Sequence, residues 1–97
     1  MSKDNSEFKG IQEYLDKGAI ILDVRTEAEY SEGHVKNSLH IVLDELEYEI
    51  DQLKALQKPI ITCCRSGARS ERAKDILLDE DFEVINGGPW QNVESYI

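Results

Sequence analysis

The run Ile60-Ile61-Thr62-Cys63-Cys64 passes without a break into Arg65-Ser66-Gly67-Ala68-Arg69-Ser70, and this junction constrains the fold most. A β-branched apolar stretch reads as a buried strand over 60–63. Ala73, Ile76 and Leu77 then recur three and four residues apart, so a helix begins directly after the short turn. A strand that ends in a thiol and turns straight into a helix N-terminus forms an anion site with a nucleophile at its floor. Main-chain N–H groups point inward there and the helix dipole adds positive potential. A thiol in that field ionises more readily, because the thiolate is the form being stabilised.

The rest of the chain limits what this loop can serve. Ninety-seven residues suit one domain, placed at 6–97 behind a loose terminus over 1–5. The polar start, with no apolar segment behind it, is not a secretory signal, and no run is long enough to span a bilayer. A cytoplasmic protein without membrane association is expected. The net charge of −9 argues against nucleic acid as a partner. That charge is uneven: between Ile60 and Lys74 only Glu71 is acidic, against Arg65, Arg69, Arg72 and Lys74. Adjacent cysteines suit neither a structural disulfide nor a zinc site, which leaves a reactive thiol. No metal or cofactor is expected.

In chain order, Phe8, Ile11 and Leu15 form a helical stripe stopped by Gly18, and 19–22 is a short buried strand. Thr26 with Glu29 makes a capping box for a helix ended by Gly33, and a brief strand follows near 38–42. Arg25 and Glu29 are expected to form an ion pair fixing this first turn. Leu46, Ile50, Leu53 and Leu56 mark one further helix, stopped by Pro59. Residues 82–85 read as a last strand, Asn86-Gly87-Gly88-Pro89 as a tight turn, and 90–97 as a segment folded back over the core. Strands alternating with helices imply an α/β fold with a mainly parallel sheet, whose ligands sit beyond the carboxyl ends of the strands.

Leu22-Asp23-Val24-Arg25, Glu29-Tyr30, Gly33-His34-Val35 with Ser38, the loop from Cys64 to Ser70, and Val84-Ile85-Asn86-Gly87-Gly88 together resemble the single-domain rhodanese-like sulfurtransferases. The resemblance covers about Phe8 to Trp90. Here Pro89-Trp90 follows the glycine pair at once, closer than family members often place a tryptophan. The implied fold is a small three-layer domain with four to five strands in a mainly parallel central sheet.

The implied activity moves sulfane sulfur from a small anionic donor such as thiosulfate to a thiophilic acceptor, through a persulfide on Cys64. The acceptor would be cyanide, a small thiol or a protein thiol. Arg65, Ser66, Gly67, Ala68 and Arg69 would surround that sulfur, with the two arginines holding the donor's oxyanion. Ser70 adds a hydroxyl contact or caps the helix. Cys63 is read as a buried hydrophobe, with an accessory thiol role as the other possibility. Asp23, Arg25 and Glu29 are structural neighbours of the site. His34 is read as a structural hydrogen-bonding residue, His40 as having no partner, and Trp90 as packing.

Two other functions are weighed. Counting from Cys63 gives Cys-x5-Arg69, the length of a cysteine-phosphatase or arsenate-reductase loop, whereas four residues separate Cys64 from Arg69. A sulfur-carrier or protein-binding module, monomeric or weakly dimeric, is the other alternative.

Overall fold

A computed structural model describes residues 8–97. The 1–5 terminus inferred from sequence lies outside them. Four strands form one parallel sheet in the order β2-β1-β3-β4: β1 Ile20–Asp23, β2 Leu39–His40, β3 Ile60–Cys64 and β4 Val84–Pro89. The central strand β3 is buried at every position, which explains its unbroken apolar run. Because neighbouring side chains alternate across a strand, its two cysteines enter different cores. Cys64 joins Leu22, Leu46, Leu53, Ala73 and Leu77 beneath α3 Ile50–Leu56 and α4 Ala68–Asp79. Cys63 joins Ile11, Ile21, Val35, Ile61 and Val93 beneath α1 Ile11–Asp16 and α5 Trp90–Glu94. The layers are therefore helix, sheet, helix, as expected. No described helix is long and apolar enough to cross a membrane.

Two expected boundaries change. The single helix over 46–56 is a 3-10 segment, Leu43–Glu49, followed by α3. Leu43 and Leu46 are three residues apart and both pack on the core, a spacing that a three-residue turn aligns. The second change is that Asn86-Gly87-Gly88-Pro89 continues β4 instead of turning away from it, with the register shifting between Thr62 and Cys64. Gly87 is required by proximity: a β-carbon there would lie 2.5 Å from Val93 Cγ2 and 2.7 Å from Ile61 Cγ2. At Gly88, φ is +81° and a β-carbon would meet the Phe8 ring at 2.7 Å. The glycine pair lets β4 pass close beneath the loop.

Candidate active site

The carboxyl end of β3 delivers Cys64 to the N-terminus of α4, where the first N–H groups lack intrahelical partners. Gly67 takes φ 107°, which bends the main chain back over the sulfur. Its N–H donates to Cys64 Sγ at 3.0 Å, and the Ser70 N–H donates at 3.4 Å. The Ser66 N–H contributes as well. Burial alone would raise the thiol's pKa, but hydrogen bonds from Ser70, Gly67 and Ser66 together bring it below the ordinary cysteine value. Cys64 is fully buried while Arg65 and Ser66, above it, are exposed. Ala68 begins α4 on the exposed side.

Cys63 occupies a different environment. Its side chain lies on the opposite face of β3 from the loop, and burial followed by the nearby Asp23 carboxylate pushes its thiol strongly upward. The Cys63-x5-Arg69 spacing consequently does not describe a loop wrapped around the Cys63 sulfur.

The arginines are arranged differently from the sequence expectation. Arg25 does not pair with the Glu29 carboxylate. Its guanidinium grips Asp23 through Nε at 2.9 Å and Nη2 at 2.8 Å, and reaches Glu29 only through that residue's main-chain oxygen at 3.2 Å. Glu29 instead accepts both arms of Arg69, at 2.8 and 3.0 Å, while closing the capping box with Thr26. Arg69 and Thr26 hold its carboxyl down at about 2. Arg69 is thus engaged by a carboxylate and is not a free fork for a donor oxyanion. Arg65 makes no ion pair among the described residues.

Sequence reasoning overlooked Asn86. Its Oδ1 accepts from the Ser70 hydroxyl at 2.7 Å and the Gly88 N–H at 2.8 Å, and its Nδ2 donates to the Gly67 carbonyl at 3.0 Å. It ties β4 to the loop from behind. Ser70 sits inside the first turn of α4 and is not the cap, a position Gly67 holds. His40, expected to lack a partner, donates Nε2–H to the Arg25 carbonyl at 2.7 Å. It stacks on Tyr30, whose other face carries His34, with centroids 4.2 and 3.7 Å apart. His34 Nδ1 reaches the Tyr30 carbonyl at 2.7 Å. Both histidines brace α2 Glu27–Glu32, the helix that carries Glu29. Trp90 packs over Gly33 and lies 5.0 Å from the Arg25 guanidinium.

A strand-borne cysteine ringed by main-chain N–H groups at a helix N-terminus narrows the possible families, and a model for the rhodanese-like domain matches residues 7–91. The chain belongs to the rhodanese-like family. Among its relatives, a tRNA uridine(34) hydroxylase of Cytophaga hutchinsonii is 32% identical over 82% of the chain, which spans 26% of that protein. The thiosulfate sulfurtransferase GlpE of Pseudomonas fluorescens is 31% identical, with 82% of this chain and 77% of that protein covered. The chain also resembles the solution structure of protein hp1203 from Helicobacter pylori. Here the TM-score is 0.69 at 26% identity, covering 89% of this chain and 80% of that one.

Proposed function

We propose that this rhodanese-like domain is a sulfurtransferase that carries sulfane sulfur on Cys64. The observation behind this reading is the convergence of the Ser66, Gly67 and Ser70 N–H groups on one sulfur. The Cys64 thiolate attacks the outer sulfur of a donor such as thiosulfate. An Sγ–S bond forms, the donor's S–S bond breaks, and sulfite leaves with the electron pair. The terminal sulfur then carries the negative charge, and donors fixed in the main chain stabilise it without reorganising. In the second half-reaction cyanide, or a thiol, attacks that terminal sulfur and regenerates the Cys64 thiolate.

Thiocyanate formation from excess thiosulfate and cyanide tests this reading. The wild type and Cys63→Ser should turn over, and Cys64→Ser should not. Phosphate release from p-nitrophenyl phosphate that depends on Cys63, with no thiocyanate formed, would replace the reading with a phosphatase.

A further inference from the structure

Ser70 is fully buried, and its hydroxyl has two groups within reach of its one proton: Asn86 Oδ1 at 2.7 Å and Cys64 Sγ at 3.4 Å. The Asn86 amide decides between them, because an amide turned the other way would present N–H in place of an acceptor. That amide is held on both sides. The Gly88 N–H, which can only donate, faces Oδ1 at 2.8 Å. The Gly67 carbonyl and the Glu71 carboxylate, which can only accept, each lie 3.0 Å from Nδ2. Glu71 is itself gripped by Lys74 Nζ at 3.1 Å. A chain of side chains therefore runs from the surface of α4 to the sulfur, through Lys74, Glu71, Asn86 and Ser70.

Resting on the sulfurtransferase reading, we infer that Asn86 is a positioning residue for the nucleophile: it draws the Ser70 hydroxyl proton away from Cys64 and leaves an oxygen lone pair facing the sulfur. The sulfur is then held by main-chain donors, among them Gly67 and Ser70. An additional O–H donated to it would populate the thiolate more fully, yet would bind the attacking electron pair more tightly. Attack on sulfur slows as the thiolate becomes less basic. Asn86 thus keeps the formed thiolate reactive, with less of it present at low pH. It acts through Ser70 and touches no reacting atom. The other charged or ionisable groups near the sulfur are separately engaged: Arg69 is matched by Glu29, and Cys63 lies on the opposite face of β3.

The test compares pH profiles of the wild type, Asn86→Leu, Ser70→Ala and the double variant. Each is read by alkylation of Cys64 with iodoacetamide and by single-turnover loading from thiosulfate. Leucine is close to asparagine in size and offers no acceptor, so the Ser70 proton turns to the sulfur. The Asn86→Leu midpoint should move to lower pH. Both reactions should run about two- to four-fold faster than wild type well below the midpoint and about two- to three-fold slower well above it, so the profiles cross. A merely loosened loop would lose main-chain donors and raise the midpoint instead. In the Ser70→Ala background, Asn86→Leu should move the midpoint no further, and Ser70→Ala alone should not raise it. An Asn86→Leu midpoint that stays or rises, a shift that persists without the hydroxyl, or a rise in Ser70→Ala would each overturn the inference. Ser70→Ala removes a single hydroxyl and decides the matter even if Asn86→Leu does not fold. No sulfur loading in any of the four proteins, with alkylation behaving as stated, would overturn the sulfurtransferase reading and leave the positioning by Asn86 in place.

Discussion

The Ser70 hydroxyl oxygen lies 2.7 Å from Asn86 Oδ1 and 3.4 Å from Cys64 Sγ. A hydroxyl has one proton to give, and the shorter contact takes it. The Cys64 thiolate therefore depends chiefly on main-chain N–H groups, which cannot turn away. Ser70→Ala should therefore leave the Cys64 thiol below the ordinary cysteine value, held there by the main-chain N–H groups. The pH dependence of Cys64 alkylation, mapped by peptide mass, checks this. A large upward shift would return the hydroxyl to the principal role.

Asn86→Ala removes the link between β4 and the loop, taking the Oδ1 acceptor from the Gly88 N–H and the Ser70 hydroxyl, while the Gly67 carbonyl keeps the Glu71 N–H. The expected cost is about 1–3 kcal/mol, the usual effect of orphaning shielded polar groups. Urea unfolding of the variant against the wild type measures it. A change below a few tenths of a kcal/mol would contradict the bracing role.

The Glu29–Arg69 pair predicts an acid-sensitive contribution. Glu29's folded pKa of about 2 lies below its ordinary 4.5. Its contribution is therefore complete above the ordinary value and is lost as pH falls toward 2. Both side chains are partly exposed, so Glu29→Gln should cost only about 1 kcal/mol at neutral pH. The gap between wild type and variant should close on acidification. A gap that widens at low pH would contradict the pairing.

Gly87→Ala forces a β-carbon against Val93, Ile61 and the Thr62 carbonyl oxygen. Such overpacking costs about 1–3 kcal/mol, and a thermal melt should show the loss. An unchanged melting temperature would mean that β4 does not run this close to β3.

Much of this arrangement could be read from the sequence, and the exceptions have physical causes. Ile60-Ile61-Thr62 and the Ala73, Ile76, Leu77 stripe report burial directly, so β3, α4 and the loop between them follow from local pattern. Arg25 and Glu29 have helical spacing, but α2 begins only at Glu27. Arg25 instead lies two residues beyond Asp23, on the same side of an extended segment, and closes onto it. Glu29 finds Arg69 forty residues away. Asn86 on β4 meets Ser70 on α4, and neither contact leaves a trace in local sequence. The Gly87-Gly88 pair carries the composition of a turn, although its use here is close approach within β4.

Cys63 provides a control for the site itself. Buried among Ile11, Ile21, Val35, Ile61 and Val93, it should matter for packing alone. Cys63→Ala should cost about 1 kcal/mol of stability and leave sulfur loading unchanged. Slower loading in this variant, with the fold intact, would give Cys63 an accessory role.

The most direct measurement is intact mass after incubation with a sulfane-sulfur donor, with the modified peptide then identified. The wild type and Cys63→Ala should each gain about 32 Da, located on residue 64 and removed by cyanide, and Cys64→Ala should gain nothing. A gain that maps to Cys63, or no gain by folded and reduced protein, would contradict the assignment of Cys64 as the sulfur carrier.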